Sequence, residues 1–255
     1  MLAILSDIHA NREALAAVLS QLRRLKPDKI ICLGDIVGYG PDPEWCVDTV
    51  LRVCNVVLCG NHDFALVHGA DTFTDAAQAA LDYHRQLLMP RWNESPDEGG
   101  RQRRWNALKL LRHRHTEDSL LFVHASPRNP LNEYLREREV RWGAARKLNE
   151  NFSLMDWLAF VGHTHRAGVI TSAPEFLSPP QIDHLYRAMP GRKAIINVGS
   201  VGQPRDGDPR AAFVTLQGPE VRFHRAPYDV ETTIRKIEAD GILDFELAER
   251  LRSGV

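Results

Sequence analysis

Residues 2–12 read Leu2-Ala-Ile-Leu-Ser-Asp7-Ile-His9-Ala-Asn11-Arg12, and the architecture of the chain can be worked out from them. The apolar run at residues 2–5 predicts a buried strand, and the apolar positions after Arg12 recur with helical spacing. Asn11 is a suitable N-cap for that helix. Asp7 and His9 therefore lie at the carboxyl end of a strand, where open α/β sheets build their sites. If this segment is extended, both side chains point to the same side and form half of a transition-metal site.

The same pattern of an apolar run followed by polar residues is repeated along the chain. The first sixty residues alternate strand, helix, strand, helix and strand, which predicts parallel β-α-β units with right-handed crossovers. Because the carboxyl ends of parallel strands share one edge of a sheet, we expect the polar residues there to meet. Those that follow the five predicted strands are Asp7 and His9, Asp35, Asn61 and His62, His124, and His163 and His165.

This set of side chains suits two metal ions better than one. Two aspartates, one asparagine and up to five histidines are too many for one tetrahedral ion, but they can serve two ions that share a bridging carboxylate. Mixed imidazole and carboxylate donors favour manganese, iron or zinc over magnesium and calcium. Two such ions about 3.5–4 Å apart can hold a hydroxide and clamp a phosphoryl group in line with it. Taken singly, each cluster is more simply a turn or a structural histidine.

The remainder of the chain is less regular. We predict helices over residues 74–88, 105–113 and 139–149, with a loop at residues 94–100. Four short runs at residues 168–171, 194–198, 212–216 and 221–224 predict an antiparallel second sheet, followed by helices at 230–238 and 244–251. We predict a single domain over residues 1–255, with a partly helical insertion around residues 64–118.

Composition excludes several classes of protein. The chain is 44% hydrophobic and 25% charged with a formal net charge of −1, so a stable complex with nucleic acid is not expected. The one basic stretch, residues 101–114, is interpreted as a solvent-exposed helix face. Neither a membrane span nor a signal peptide is recognisable, and the four cysteines fit a reducing compartment, so we expect a cytoplasmic protein. The sequence leaves the oligomeric state open.

The ordered motifs resemble those of the calcineurin-like metallophosphoesterases. They are Asp7-x-His9, Gly34-Asp35, Gly60-Asn61-His62-Asp63, His124 and Gly162-His163-x-His165. A later stretch, residues 197–208, is similar to one in the small bacterial phosphoesterase branch of that family. The resemblance implies an α/β fold, a four-layer α/β/β/α sandwich with a dinuclear site at the carboxyl ends of the strands.

The resemblance also implies a role for each motif residue. Its first metal would be held by Asp7, His9, Asp35 and His165. Its second would be held by Asp35, Asn61, His124 and His163, so that Asp35 bridges the two. The catalytic residue would be His62, which would face the substrate and stabilise negative charge or protonate the leaving oxygen. The implied cofactors are two divalent ions of manganese, iron, zinc or nickel, with manganese favoured for activity.

The expected substrate is a small phosphorylated molecule such as a nucleotide. The phosphoprotein phosphatases of this superfamily carry an Asp-Arg-Gly element after Gly-Asp, and this chain lacks that arginine after Asp35. We therefore expect hydrolysis of phosphomonoesters or phosphodiesters by a metal-bridging hydroxide. The alternative is a dinucleoside polyphosphate hydrolase resembling diadenosine tetraphosphatases; a nuclease or a non-catalytic scaffold is less favoured. The candidate substrate contacts are Arg128, Arg205 and Tyr39. The competing interpretation is that the two arginines are surface residues at turns and that Tyr39 simply covers the core.

Overall fold

The structure is a computed structural model that describes residues 1–69, 73–92, 100–141 and 145–255. The strands are β1 (Leu2–Leu5), β2 (Lys29–Cys32), β3 (Val56–Val57), β4 (Arg114–Glu117), β5 (Leu120–Val123), β6 (Leu158–Val161), β7 (Gly168–Thr171), β8 (Phe176–Leu177), β9 (Leu185–Arg187), β10 (Ala194–Asn197), β11 (Ala211–Gln217) and β12 (Glu220–Ala226). The helices are α1 (Arg12–Leu25), α2 (Pro43–Val53), α3 (Asn61–His68), α4 (Asp75–Leu88), α5 (Arg101–Lys109), α6 (Glu137–Arg141), α7 (Ala145–Ser153), α8 (Val230–Asp240) and α9 (Phe245–Ser253).

These strands form two six-stranded sheets. The strand order is β3-β2-β1-β11-β12-β9 in the first sheet and β4-β5-β6-β10-β7-β8 in the second. Strands β1, β2 and β3 are mutually parallel in the first sheet, and β5, β6 and β10 are parallel in the second. The predicted β-α-β units are therefore present. The predicted separate antiparallel sheet in the last third is wrong, because β9, β11 and β12 extend the first sheet while β7, β8 and β10 extend the second. Apolar patterning identifies a strand and its buried faces but not its partner.

The sheets stack face to face between two layers of helices. Strand β1 illustrates the arrangement, because Ile4 points into the core between the sheets while Ala3 and Leu5 pack under the helices. The inter-sheet core also holds Phe122 of β5 and Phe160 of β6. Helices α1 and α2 cover the first sheet, and α6 and α7 cover the second. The predicted four-layer α/β/β/α sandwich is confirmed.

The region of the predicted insertion contains helices α4 and α5 and, at its end, strand β4. Helix α4 begins after Thr74, whose side chain accepts a hydrogen bond from the Ala77 amide, as predicted. The helix predicted from residue 105 begins earlier, at Arg101, and ends at Lys109. The basic stretch is not simply solvated, since Arg104 pairs with Glu44 and Asp48 of α2. Most of the predicted loop, residues 94–99, lies outside the described residues.

Other boundaries also differ from the sequence prediction. Strand β4 was not predicted, because its sequence Arg-His-Thr-Glu lacks apolar alternation. Strand β3 is only two residues long. The helix predicted at residues 139–149 corresponds to α6 and α7, between which residues 142–144 lie outside the described part. The single-domain assignment stays a prediction.

Helices α8 and α9 pack together, and α8 also contacts α1. Ile234, Ile237, Leu247 and Leu251 form a small apolar cluster with α4, and Tyr39 packs against it. The C-terminal helix pair therefore supports the loop that carries Tyr39.

Among the described residues, no helix is long and apolar enough to span a membrane.

The inter-sheet core can be tested with Phe160→Ala. Phe160 is fully buried and stacks on Phe122 with 5.3 Å between ring centroids. We expect the free energy of unfolding to fall by about 3–5 kcal/mol, because the truncation leaves a cavity. Chemical denaturation measures the change. Leu110→Ala, at a side chain that is 80% exposed, serves as the control and should change stability by less than about 0.5 kcal/mol. Equal effects would contradict this placement of Phe160.

Candidate metal centre

The strand-end loops hold most of the predicted ligands in a left-handed backbone conformation. Positive φ values occur at Asp7 (54°), His9 (47°), Asp35 (53°), His163 (63°) and His165 (59°). Such values are uncommon for residues other than glycine, and they concentrate at functional sites. The expectation of an extended Asp7–His9 segment is therefore wrong. Asp7 and His9 still converge, through tight turns rather than through strand alternation.

Four side chains form a first group of possible ligand atoms. In Asp7, His9, Asp35 and His165, one ligand atom from each lies within 4.8 Å of the others, and all four residues are buried. The Nε2 atom of His165 lies 3.2 Å from Asp7 Oδ1, and His9 Nε2 lies 3.7 Å from Asp35 Oδ2. The side chains come from loops of both sheets, so the stacking of the sheets creates the group.

His9 and His165 point unshared electron pairs at each other. His9 Nδ1 lies 3.0 Å from the carbonyl oxygen of Val37, and His165 Nδ1 lies 2.7 Å from that of Gln203. A carbonyl only accepts, so both Nδ1 atoms carry the proton and both Nε2 atoms are bare in the neutral rings. The two Nε2 atoms are nevertheless 3.0 Å apart. A cation between them satisfies both lone pairs, and carbonyl-oriented imidazoles are typical of metal ligands.

A second group shares Asp35 with the first. Ligand atoms of Asp35, His124 and His163 lie within 4.8 Å of one another, and Asn61 Oδ1 is 3.0 Å from His124 Nε2. The Nε2 atom of His163 is buried and has no hydrogen-bond partner among the described residues. A buried polar atom without a partner is costly, so this atom also fits a metal. All seven predicted ligands therefore lie together.

The electrostatics favour metal-binding protonation states for most of these groups. Burial lowers the pKa of His163 to about 3 and that of His9 well below its ordinary value, which keeps both imidazoles neutral. Burial alone would raise the pKa of Asp35, but the imidazoles of His124 and His62 outweigh it and hold that pKa well below normal. His124 is the exception: the Asp35 carboxylate overcomes burial and raises its pKa to about 9.

His62 lies beside this cluster without joining either group. It occupies the first turn of α3, directly after Asn61. The two side chains diverge, because successive residues on a helix are rotated by about 100°. The His62 ring lies 4.9 Å from that of His9 and 4.6 Å from that of Tyr39. Its Nδ1 atom has no described hydrogen-bond partner, and burial lowers its pKa to about 4 against the opposing charge of Asp35.

Asp63 and two glycines position the ligand carboxylates. Asp63 Oδ1 accepts the amides of Ile36 and Val37 at 2.9 and 3.2 Å, and Oδ2 accepts that of Gly60 at 3.0 Å. A Cβ atom on Gly60 would overlap Asp35 Oδ1, and one on Gly162 would overlap Asp7 Oδ2. Both glycines were visible in the motifs, but their packing against the carboxylates was not.

The stretch at residues 197–205 forms hydrogen bonds that support the loops of the candidate ligands. Asn197 Nδ2 donates to the Gly162 carbonyl and to Thr164 Oγ1, which braces the loop of His163 and His165. Ser200 Oγ donates to the Asp7 carbonyl at 2.8 Å. The sequence resemblance covered this stretch without assigning it a role. Its role is to position the loops that carry the ligands.

The structure brings two of the three candidate substrate contacts to the cluster. Tyr39 lies with its ring 4.6 Å from that of His9, and Arg205 Cζ lies 5.5 Å from the Tyr39 ring centroid. The guanidinium of Arg128 instead pairs with the carboxylates of Glu133 and Glu150. Tyr39 also packs against the apolar cluster of α8 and α9, so it covers part of the core, and its contact with substrate stays a prediction. The contact of Arg128 with substrate stays a prediction.

Sequence reasoning missed the neighbour of His163. The Tyr134 ring stacks on that of His163 at 4.1 Å, and Arg136 Cζ lies 4.0 Å from the centroid of the Tyr134 ring. Neither residue belongs to a motif or follows a predicted strand, so no sequence signal could have found them.

Removing the space beside a carboxylate tests this geometry. In Gly60→Ala and Gly162→Ala, the new Cβ forces Asp35 or Asp7 to move, so manganese affinity should fall at least about tenfold. Calorimetric titration measures the affinity, and circular dichroism checks the fold. Gly191→Ala is the control, since its Cβ meets nothing within 4 Å although φ is +74°. Unchanged affinity in both test variants would contradict the geometry.

Comparisons with known proteins agree with this fold. The sequence model of the calcineurin-like phosphoesterase superfamily domain matches residues 1–218. An uncharacterized protein of Methanocaldococcus jannaschii, MJ0912, is 31% identical over 260 residues, which cover 100% of this chain and 98% of that protein.

Two solved structures match along their whole length. The metallophosphoesterase from Sphaerobacter thermophilus is 34% identical with a TM-score of 0.82, covering 100% of this chain and 99% of the other. The hypothetical protein PH1004 from Pyrococcus horikoshii OT3 shares the fold at 22% identity, with a TM-score of 0.71 and the same coverage. Because the family model matches most of this chain, from residue 1 to residue 218, the chain belongs to the calcineurin-like phosphoesterase superfamily.

Proposed function

We propose that this chain hydrolyses small phosphoric esters at a centre of two divalent metal ions. The observation that carries the proposal is the position of Asp35. Its Oδ2 atom lies 3.7 Å from His9 Nε2 and 3.3 Å from His124 Nε2, so one carboxylate oxygen faces both groups of ligand atoms. The Oδ1 atom of Asp35 accepts a hydrogen bond from the His62 amide at 2.8 Å. This orientation supports Asp35 as the residue shared by two ions.

The remaining ligands follow from the two groups. Asp7, His9 and His165 would complete the first site, and Asn61, His124 and His163 the second. This mixture of imidazole and oxygen donors suits manganese, iron, zinc or nickel, and we favour manganese for activity. Two bound ions would lower the pKa of a coordinated water and offset the charge of the phosphoryl group.

His62 is proposed as the catalytic residue. With its pKa lowered to about 4, the imidazole is neutral near pH 7 and still carries one N–H. That N–H can donate a hydrogen bond to a phosphoryl oxygen or to the leaving oxygen as negative charge develops there. Gly38 makes room for the ring, because a Cβ at position 38 would overlap His62 Nδ1. The packing therefore fixes the direction of this donor.

Arg205 and Tyr39 are proposed to contact the substrate. The Arg205 guanidinium is already oriented by Gln203 Oε1, which accepts hydrogen bonds from Nε at 3.1 Å and from Nη2 at 2.6 Å. An oriented guanidinium suits recognition of phosphate oxygens. The Tyr39 ring beside it offers a face for a nucleobase. This pair favours dinucleoside polyphosphate hydrolysis as the second candidate function.

A scaffold or a nuclease is supported less well. A non-catalytic scaffold has no need of ligand residues, whereas here seven possible ligand groups converge. A nuclease needs a surface that tracks phosphates, but the guanidinium of Arg104 in the one basic stretch is engaged by α2. We further propose that the protein acts in the cytoplasm, because all four cysteines are free, as expected in a reducing compartment.

Activity with manganese tests the proposed function. The protein should hydrolyse an aryl phosphate monoester or diester, and Asp35→Ala should abolish turnover because both ions lose a ligand. His62→Ala should lower kcat by about 10²–10⁴ while the metal content is retained. His68→Ala, at an exposed histidine of the same helix, is the matched control. Full activity in Asp35→Ala or His62→Ala would refute the mechanism.

The assignment of Asp7 to one ion has its own test. Asp7→Asn should weaken one ion at least about tenfold more than the other, since even changes around a metal ligand cost 10–100-fold in affinity. Titration with manganese resolves the two binding steps. Asp156→Asn, at an exposed aspartate, should leave both steps unchanged. Equal weakening of the two steps would show the assignment to be wrong.

A further inference from the structure

A basic groove lies next to the proposed second metal site. Arg136, Glu137, Arg138, Thr164 and Arg166 line a cavity of about 340 Å³. Its three arginines come from two separate segments, one at the start of α6 and one in the loop after β6. The side chains of Arg138 and Arg166 are exposed. We call these five residues the arginine groove.

Two sets of contacts link the arginine groove to the loop that carries His163 and His165. Thr164 lies between His163 and His165 in the chain, and Arg166 follows directly, so the groove wall is part of the ligand loop. Arg136 reaches the same loop through Tyr134, whose ring stacks on one side against His163 and on the other against the Arg136 guanidinium. Each of these stacking contacts is about 4 Å long. A ligand in the groove would therefore lie against the loop that carries His163 and His165.

The positive charge of the groove is not cancelled by its surroundings. No carboxylate among the described residues forms an ion pair with Arg138 or Arg166. Glu139, on the same helix, pairs with Lys147 at 3.1 Å. The carboxylates of the adjoining cavity, Asp206 and Asp208, are engaged by Arg225 and Arg210. Glu137 is the carboxylate that lines the groove itself. The lining therefore carries three guanidinium groups and one carboxylate.

We propose that the arginine groove binds a second phosphate, next to the scissile one, in a substrate that carries two or more linked phosphates. This inference rests on the proposed function, because it takes the scissile phosphate to lie at the metal centre. Arginine is suited to this task because its planar guanidinium donates paired hydrogen bonds to phosphate oxygens. The preferred substrate class is therefore a linear polyphosphate or a nucleoside polyphosphate rather than a simple monoester.

The reaction on such a substrate is a balanced hydrolysis. The oxygen of one water bonds to the scissile phosphorus, the bond from that phosphorus to the bridging oxygen breaks, and the bridging oxygen leaves with the adjacent phosphate. One proton of the water stays on the newly bonded oxygen or passes to solvent, and the other passes to the departing phosphate oxygen or to solvent. The groove holds the adjacent phosphate while its charge increases.

A selectivity measurement tests the groove. The probes are inorganic tripolyphosphate and 4-nitrophenyl phosphate, each with the free manganese concentration held constant. In the double variant Arg138→Gln/Arg166→Gln, the ratio of KM for tripolyphosphate to KM for 4-nitrophenyl phosphate should rise at least about tenfold, since even one lost hydrogen bond between charged groups costs about that much affinity. Arg23→Gln, at an exposed arginine of α1, should leave the ratio as in the unchanged protein.

The outcomes separate this inference from the proposed function. A ratio that stays within twofold in the double variant overturns the groove while the phosphoesterase proposal stands. If the unchanged protein hydrolyses neither of these probes nor an aryl phosphate diester, the proposed function fails, and calorimetric binding of tripolyphosphate then decides the groove. Binding that weakens at least tenfold in the double variant, but not in Arg23→Gln, supports it. Equal binding by all three proteins overturns it.

Discussion

The Asp35 carboxylate is the group on which the rest of the site depends. One of its oxygens accepts the His62 amide, and the other faces His9 and His124. The carboxylate can occupy this position because Gly60 has no side chain there and because Asp63 ties the two adjacent loops together. A change in any of these contacts moves a ligand of both proposed ions at once.

The left-handed backbone at five of the seven proposed ligands is unfavourable in conformational free energy, and other contacts in the fold compensate for it. Each unfavourable φ costs of order 1–3 kcal/mol and persists only where neighbouring contacts enforce it. Hydrogen bonds from Asn197 and Ser200, and carbonyl groups that hold the imidazoles, provide those contacts. The strain has a chemical use, because it directs carboxylates and imidazoles to one point and leaves buried nitrogen atoms that a cation would satisfy.

Charge is distributed around the site in a way that the overall composition conceals. The chain is almost neutral, with a formal net charge of −1, yet guanidinium groups lie on both sides of the ligand cluster. Arg205 and Tyr39 lie on the side of His9 and His62, and the arginine groove lies on the side of His163. Cations on two sides of a proposed phosphoryl site favour substrates with more than one negative group.

The sequence by itself determined the candidate ligand set and the place of each candidate after a strand, because apolar runs and the polar residues that end them are local features. The same local signals identified the capped starts of α1 and α4. Only the tertiary structure decided which sheet each late strand joins, that Tyr134 covers His163, that Arg128 is paired with carboxylates, and that an arginine groove adjoins the centre. Each of these depends on side chains distant in sequence, whose meeting follows from the stacking of two sheets and not from any short pattern.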